Sequence, residues 1–181
     1  MIGPPIVVVM GVCGCGKSSV GQGLADALGC RFIEGDQHHP EVNIVKMSAG
    51  IPLTDADREG WLAVLAGFIA NADRANQPLV VACSALKRRY RDQLRGDSAR
   101  VLFLHLDGDR ALIAARMAAR TAHFMPTALI DSQFADLEPP GADEAAMTRS
   151  IHLSAETIVA EACRHLNTIN RAANTTAGGN A

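Results

Sequence analysis

The chain has 181 residues, of which 48% are hydrophobic, and a formal net charge of −2 at pH 7. This length suits one domain, and the charge argues against a general nucleic-acid-binding protein, whose basic face would displace counterions from phosphates. No apolar run approaches the roughly 20 residues of a membrane span, and residues 1–5 lack the charged and apolar regions of a secretory signal. We therefore expect a cytoplasmic protein that binds neither nucleic acid nor a membrane.

The predicted elements alternate between short apolar strands and helices. In chain order, the predicted strands occupy residues 6–10, 31–34, 79–82, 101–106 and 148–153. The predicted helices occupy residues 17–28, a long stretch after residue 54, and residues 85–94, 110–120, 126–134 and 154–169. Strands separated by such helices imply a three-layer α/β fold, in which a five-stranded parallel sheet is covered on both faces and ligands bind at the carboxyl ends of the strands.

Composition also indicates the domain boundaries. Residues 1–170 are predicted to form a single domain, whereas residues 171–181 have little to bury and are expected to form a disordered tail. The five cysteines are odd in number and contain no C-x-x-C pair, which argues against a disulfide framework and against a zinc site.

The strongest motif is Gly11-Val12-Cys13-Gly14-Cys15-Gly16-Lys17-Ser18, which matches the phosphate-binding pattern G-x-x-x-x-G-K-[ST] directly after the first predicted strand. Its glycines let backbone N–H groups curl around a phosphate, and the helix that follows adds the positive end of its dipole. Lys17 is expected to reach the β- and γ-phosphates, and the Ser18 hydroxyl to be a ligand of Mg²⁺. The predicted nucleotide-binding residues here are Gly11, Val12, Cys13, Gly14, Cys15, Gly16, Lys17, Ser18 and Ser19. The motif therefore predicts that the chain binds a nucleoside triphosphate with magnesium.

Two thiols, those of Cys13 and Cys15, occupy variable positions of this loop. Thiols at a helix N-terminus and near a lysine tend to have lowered pKa values, because the dipole and the ammonium favour the thiolate. We expect mild alkylation or oxidation to inactivate the protein and bound ATP to protect it. The alternative is that both side chains point into packed surroundings, where burial leaves them inert.

Further motifs follow the other predicted strands and the fourth helix. They are GDQHHPEVNIVKM at residues 35–47, GIPLTDADREGWL at 50–62, CSALKRRYRD at 83–92, RTAHFMP at 120–126 and SQF at 132–134. At these residues the sequence resembles the gluconokinases, P-loop enzymes that phosphorylate D-gluconate at its 6-hydroxyl with ATP. The resemblance covers about residues 6–142 and implies ATP and Mg²⁺ as cofactors, a role in gluconate catabolism and a homodimer. Ala122 departs from the glycine usual in this family, and the region after Ala146 matches poorly.

Asp36 is the candidate for handling the acceptor hydroxyl. Phosphoryl transfer needs two oxygens in line, counter-charge on the transferring group and exclusion of water. Asp36 follows the second predicted strand, which we expect beside the phosphate loop, where a carboxylate can orient an attacking hydroxyl and accept its proton. Two alternatives stay open for Asp36, namely capping a turn and holding Mg²⁺ through water.

Arg58 is the preferred ligand for the carboxylate of gluconate. Gluconate is a linear polyol with a carboxylate, so its pocket needs one or two cations and several hydrogen-bonding groups. A guanidinium binds a carboxylate through two parallel hydrogen bonds. The alternative is a solvated arginine paired with Asp55 or Glu59.

Other substrate-binding candidates come from the same motifs. Lys87 and Arg91 are four residues apart, which places them on one face of a predicted helix. The remaining candidates are His38, Lys46, Ser84, His123 and Gln133. His39, in contrast, is expected to be structural or exposed.

Arg116 and Arg120 lie four residues apart at the entry to a short predicted lid, about residues 117–127. In the related nucleoside monophosphate kinases, paired arginines at the lid base contact adenine and phosphates. By that resemblance Arg116 lies over the adenine, and Arg120 joins Lys17 and Asp36 as a catalytic residue by stabilising charge on the transferring phosphoryl group. The alternative is a helix made soluble by its arginines.

Two rival functions stay open. One is another small-acid kinase of the same fold, such as a shikimate kinase, which would have a glycine run after its third strand, where this chain has Cys83-Ser84-Ala85-Leu86-Lys87. The other is a nucleotide-hydrolysing switch, whose third strand normally ends in an aspartate that serves Mg²⁺. This chain has Ala82-Cys83-Ser84 at that place.

Overall fold

The computed structural model describes residues 3–119 and 127–177, and within these ranges the strands form one parallel sheet. They are β1 Ile6–Met10, β2 Arg31–Glu34, β3 Leu79–Ala82, β4 Val101–Asp107 and β5 Ala146–Ser150. Their order across the sheet is β2-β3-β1-β4-β5, so β1 lies between β3 and β4. The predicted bounds of the first three strands are confirmed, and β4 runs on to Asp107.

Helices connect these strands. They are α1 Lys17–Leu28, α2 Glu41–Ser48, α3 Asp55–Arg74, α4 Arg88–Arg95, α5 Arg110–Ala118, α6 Thr127–Asp136 and α7 Ala155–Ala177. A 3-10 turn at Gly35–His38 follows β2. Helix α3 begins as predicted, because Thr54 and Asp57 form a capping box in which each side chain accepts the backbone N–H of the other. In the described ranges, none of the helices combines the length and the apolar character that crossing a membrane requires.

Two buried clusters lie on opposite faces of the sheet, because successive side chains of a strand point to opposite faces. Val7 and Val9 of β1 belong to the cluster that includes residues of α1 and α7, whereas Ile6 and Val8 belong to the cluster that includes residues of α3 and α4. All of β1 through Met10 is fully buried, so the loop that follows it starts from the rigid centre of the molecule. The predicted three-layer α/β fold is confirmed.

Two helices on the side of β2 and β3 differ from prediction. Helix α4 begins at Arg88 rather than at residue 85, because Ala85 has a left-handed backbone with φ of 44°, which interrupts the helix. Helix α2 is not predicted at all. Its apolar side chains Val42 and Val45 are 60% and 62% exposed, so the segment lacks the inward-facing apolar stripe from which a helix is predicted.

The carboxyl-terminal part also differs from prediction. Strand β5 begins two residues and ends three residues before the predicted 148–153. Ile151 lies in the turn after the strand, where it is buried and its N–H donates to the carbonyl of Asp107 at 2.8 Å. Helix α7 continues to Ala177, past the predicted end at residue 169. The first part of the segment predicted to be a disordered tail is therefore helical.

Arg91 is a structural residue, so its predicted role in substrate binding is wrong. It is 1% exposed, and its guanidinium donates to the two carboxylate oxygens of Glu144 at 2.5 and 2.8 Å. The same group donates to the carbonyls of Ala85, Leu86 and Glu138 at 3.2, 3.1 and 2.9 Å. Arg91 therefore joins the loop after β3 to the chain that follows α6.

Glu144→Gln should destabilise the fold, because it leaves the buried charge of Arg91 without its counter-charge. We expect the free energy of unfolding to fall by about 3 kcal/mol at neutral pH. The hydrogen bonds from Arg91 hold the pKa of Glu144 below its ordinary value. This stabilisation is therefore present above the ordinary glutamate pKa of about 4.3 and is lost as the pH falls through the lower folded-state pKa.

Urea unfolding of the wild type and Glu144→Gln across the acid range measures this difference, and the two proteins should converge in acid. Asp143→Asn is the matched control, since Asp143 is an exposed neighbour paired with Arg88, and it should change stability much less. A Glu144→Gln protein as stable as the wild type at neutral pH would show that the pair contributes nothing.

Candidate active site

The loop between β1 and α1 has the geometry of a phosphate-binding loop. Gly11 has φ of 139°, and a Cβ there would lie 2.7 Å from the carbonyl oxygen of Leu106, so only glycine fits. Gly16, with φ of 100°, precedes α1, whose first turn has no side-chain cap. The free N–H groups of that turn and the positive end of the helix dipole are available to an anion. Ser18 and Ser19 are exposed at the same turn.

Lys17 lies across this loop. Its Nζ donates to the carbonyl of Val12 at 3.2 Å, which keeps the ammonium over the loop. Burial disfavours the charged form, but nearby acidic groups, of which the carboxylate of Asp36 is charged at neutral pH, outweigh it, so the pKa of Lys17 is raised. The side chain therefore carries a positive charge at neutral pH, as contact with phosphate requires.

Asp36 reaches the phosphate loop across the end of another strand. β3 lies between β1 and β2, so the expectation that the second strand lies beside the loop is wrong. The 3-10 turn bridges this gap by packing Gly35 on the end of β3, where a Cβ would collide with the carbonyl oxygen of Ala82. Trp61 Nε1 donates to the carbonyl of Gly35 at 2.8 Å and holds the turn in place.

A cavity beside Lys17, which we call the polar cavity, collects side chains from several loops and helices. Its polar lining consists of Lys17, Asp36, His39, Arg58, Ser84, Ser132 and Gln133, together with Cys13. Its apolar wall consists of Met47, Pro52, Leu53 and Trp61. The cavity thus combines two cationic side chains, a carboxylate and several hydrogen-bonding groups next to the phosphate-binding loop.

Arg58 is the buried cation of the polar cavity. It is 8% exposed, and its Nη1 donates to Tyr90 Oη at 3.1 Å and to Asp136 Oδ2 at 3.0 Å. The predicted alternative of a solvated arginine paired with Asp55 or Glu59 is therefore wrong. Burial works against the charge of Arg58, but the bonds to Tyr90 and Asp136 prevail and raise its pKa.

Three predicted substrate-binding residues lie outside the lining of the polar cavity. Lys46 binds Asp57 at 2.6 Å, and Lys87 bridges Asp55 and Asp136 at 3.1 Å each. His38 packs against the ring of Phe68. These ion pairs explain why the two lysines do not line the polar cavity. Their ammonium groups are held by carboxylates at the N-terminal end of α3 and, for Lys87, also on α6.

His39, which was expected to be structural or exposed, is buried against Trp61 and also lines the polar cavity. His38 instead packs its ring 4.9 Å from that of Phe68. The 3-10 turn decides between the two neighbours, because it rotates successive side chains by about 120°. The adjacent pair His38-His39 offers no local signal for that choice, and the four apolar wall residues were likewise missed.

A second cleft adjoins the phosphate-binding loop between α1, α5 and α7. It is lined by Gly14, Gly16, Ser19, Arg116, Ile151 and Ser154, among others. Arg116 Nη2 donates to the carbonyl of Ile151 at 2.6 Å and so spans the cleft mouth. Five of the predicted nucleotide-binding residues therefore line this one cleft, namely Gly14, Cys15, Gly16, Ser19 and Arg116. Arg120, His123 and most of the predicted lid fall within 120–126, outside the described residues.

Helix α6 contacts the phosphate-binding loop directly. Gln133 Oε1 accepts the backbone N–H of Cys13 at 2.7 Å. Asp136, three residues further on the same helix, binds both Arg58 and Lys87. The carboxyl-terminal end of the helix that follows the predicted lid is therefore attached both to the loop and to the cation of the polar cavity.

The predicted reactivity of Cys15 is wrong. Its side chain is 2% exposed, and burial raises its pKa despite the nearby Lys17. Cys83 is fully buried and burial raises its pKa to about 12. We expect neither thiol to be alkylated by iodoacetamide under native conditions, whereas both react after unfolding. Mass spectrometry of peptides measures this, and the half-buried Cys163 is the internal control. Native labelling of Cys15 would contradict its burial.

The residues present fit a magnesium ion that is shared with a phosphate. Mg²⁺ keeps several waters and takes only one or two protein oxygens in phosphate-transfer sites. The exposed hydroxyl of Ser18 at the start of α1 and the exposed carboxylate of Asp36 supply oxygens of this kind. Among residues 3–119 and 127–177, no group of three or more His, Cys, Asp and Glu side chains forms a closed metal site.

A phosphate-binding loop joined to a cavity with a carboxylate and a buried guanidinium, on this parallel sheet, defines a P-loop kinase of small molecules. The family model for shikimate kinase matches residues 13–165. A gluconokinase of Gluconobacter oxydans is 46% identical over 162 residues, which cover 90% of this chain and 91% of that protein. The thermosensitive gluconokinase of Escherichia coli is 49% identical over 142 residues, which cover 78% of this chain and 76% of that protein.

A solved structure leads to the same family. The crystal structure of a gluconokinase from Sinorhizobium meliloti superposes with a TM-score of 0.87 and 44% identity, covering 96% of this chain and 97% of that one. The chain therefore belongs to the gluconokinase family, within the broader group of P-loop kinases that the shikimate kinase model matches. The resemblance predicted from the sequence is confirmed.

Proposed function

We propose that the protein transfers the γ-phosphoryl group of ATP to the 6-hydroxyl of D-gluconate and releases 6-phospho-D-gluconate and ADP. The observation that carries this proposal is the polar cavity, in which Arg58 and Asp36 lie in one space with Lys17. A buried guanidinium suits a carboxylate, and the carboxylate of Asp36 suits a hydroxyl. Membership of the gluconokinase family supports the choice of acid.

Each group of the site has a distinct task in this reaction. The loop N–H groups and Lys17 hold the β- and γ-phosphates and offset the charge that develops on the transferring group. Asp36 orients the acceptor hydroxyl and takes its proton, while Arg58 fixes the acid end of the acceptor. Arg116 covers the nucleotide base in the second cleft. Arg120 would add charge stabilisation from the lid.

Magnesium completes the site when ATP is bound. Ser18 is the residue that would hold the ion directly. The ion would neutralise negative charge on the β- and γ-phosphates. The family resemblance is the basis on which we also propose a cytoplasmic homodimer.

An assay of ADP release with a panel of acceptors tests the proposed function. The panel contains gluconate, shikimate, other sugar acids and no acceptor, each with Mg-ATP. We expect gluconate to give the highest kcat/KM. Preference for shikimate would favour the alternative that the matched family model names. ADP release at the same rate without acceptor would indicate a nucleotide-hydrolysing switch.

Arg58→Ala should raise the KM for gluconate about 10- to 100-fold, because a charge-assisted hydrogen bond to the carboxylate contributes about 1.5–3 kcal/mol. The KM for ATP should change less than about threefold, since the hydrogen bonds of Arg58 are to Tyr90 and Asp136. Steady-state kinetics with each substrate varied in turn measure both values.

Arg89→Ala is the matched control for Arg58, since it removes an exposed guanidinium that also lies near the Tyr90 ring but binds Asp55. It should leave both KM values within about twofold of the wild type. An equal loss of affinity for ATP and gluconate in Arg58→Ala would exclude the carboxylate role.

A further inference from the structure

The ring of His39 is held in a fixed plane in the wall of the polar cavity. It is 9% exposed, and it stacks on the indole of Trp61 with the ring centroids 4.0 Å apart and the planes 18° apart. Trp61 is in turn fixed by its hydrogen bond to the carbonyl of Gly35. The ring nitrogens of His39 therefore point in defined directions.

Asn43 determines which of those nitrogens carries the proton. Its side-chain nitrogen donates to the carbonyl of Asp57 at 2.7 Å, which fixes the orientation of a side chain that is only 1% exposed. The same nitrogen lies 3.4 Å from Nδ1 of His39. The amide nitrogen of Asn43 can only donate, so Nδ1 of His39 accepts. In the neutral ring the proton therefore lies on Nε2.

The ring is neutral under physiological conditions. Burial lowers the pKa of His39, and the positive charge of Arg58 lowers it further against the opposing effect of Asp36. Nε2 makes no hydrogen bond to residues 3–119 or 127–177, and it is not sealed from solvent. His39 lines the polar cavity, which is the space where a ligand could accept this N–H.

We propose that His39 is a substrate-binding residue that donates a hydrogen bond from Nε2 to an oxygen of the acceptor, and that Asn43 is the positioning residue that sets this tautomer. The proposal rests on the proposed function and adds a rule of selectivity to it. At this point Nε2–H can donate a hydrogen bond to a hydroxyl or carboxylate oxygen, whereas an ammonium group, which has no acceptor atom, is disfavoured. His39 therefore favours a phosphoryl acceptor that places an oxygen at this point over one that places an ammonium group there.

His39→Phe tests the donor, because phenylalanine keeps the stacking on Trp61 and removes Nε2. We expect the KM for the acceptor to rise about tenfold, while the KM for ATP stays near the wild-type value. The unfolding temperature should fall, because the buried Asn43 amide loses the ring nitrogen that accepts its N–H. His38→Phe is the matched control, since His38 is the adjacent histidine and packs on Phe68 away from the cavity lining. It should leave both KM values unchanged. An unchanged acceptor KM in His39→Phe, or equal rises for acceptor and ATP, would overturn the proposal.

NMR of the imidazole nitrogens in the substrate-free protein tests the tautomer without relying on activity. Comparison with His39→Phe assigns the signals, and we expect a protonated Nε2 and an unprotonated Nδ1 at neutral pH. Asn43→Asp replaces the amide by a carboxylate, which can only accept, so the proton should appear on Nδ1. A protonated Nδ1 in the wild type would overturn the proposal.

These measurements separate the proposal from the proposed function. If the wild type fails to phosphorylate gluconate but uses another hydroxy acid, the proposed function fails, and His39→Phe should raise the KM for that other acid instead. If gluconate is the acceptor but His39→Phe binds it as the wild type does, the function stands and the role of His39 is lost.

Discussion

Lys17→Ala should lower kcat by roughly 10³-fold, because it removes the charge that faces the developing negative charge of the transferring phosphoryl group. In the absence of nucleotide, Lys17 Nζ binds only the carbonyl of Val12 among the described residues. Thermal unfolding should therefore occur near the wild-type temperature. The measurement is the turnover rate at saturating Mg-ATP and gluconate.

Lys46→Ala is a suitable control for Lys17, since it removes an equal charge that pairs with Asp57 outside the polar cavity. Its turnover should remain close to that of the wild type. A Lys17→Ala protein that keeps more than a tenth of the wild-type turnover would contradict the assignment of this loop to phosphate transfer.

Asp36→Asn should lower kcat by about 10²–10⁴-fold, which is the usual range for loss of a general base. Asparagine has the same shape but cannot take the proton of the acceptor hydroxyl, so the geometry of the turn is kept while the chemistry is lost. The dissociation constant of Mg-ATP should change less than about threefold. Turnover assays and calorimetric titration of the nucleotide measure the two effects.

Glu34→Gln is the control for Asp36, because it removes a carboxylate at the end of β2 that does not line the polar cavity. It should leave kcat near the wild-type value. If Asp36→Asn instead binds Mg-ATP far more weakly while its kcat falls little, Asp36 belongs to the magnesium site rather than to the acceptor hydroxyl.

The local parts of the site were predicted from the sequence because their geometry depends on adjacent residues. The positive φ angles of Gly11 and Gly16 follow from the motif itself. The fully buried strands β1 and β3 can be recognised in the sequence as apolar runs. Asp36 lines the polar cavity, although β2 does not lie next to β1 in the sheet as expected. Gly35 lets the turn after β2 pack against the end of β3, and this brings Asp36 to the polar cavity beside the phosphate-binding loop.

The partners of the charged side chains could not be predicted, because each partner comes from a distant part of the chain. In the sequence, Arg91 looks like a ligand-binding residue on a basic helix. In the structure, Glu144, which is 53 positions further along the chain, contacts it and neutralises its charge. Arg58 is likewise separated by 78 positions from Asp136. The sequence offers no local sign that either carboxylate will meet its arginine.

What the sequence by itself determined is the phosphate-binding loop, the α/β class, the kinase family and the reaction they imply, since these rest on contiguous motifs and on the short-range rules of strand, turn and helix. Only the tertiary structure decided that His39 rather than His38 faces the cavity, that Arg91 supports the fold and that β3 separates β1 from β2. The reason is physical: a motif fixes the backbone near its own residues. The surroundings of a side chain depend on which distant elements pack against it.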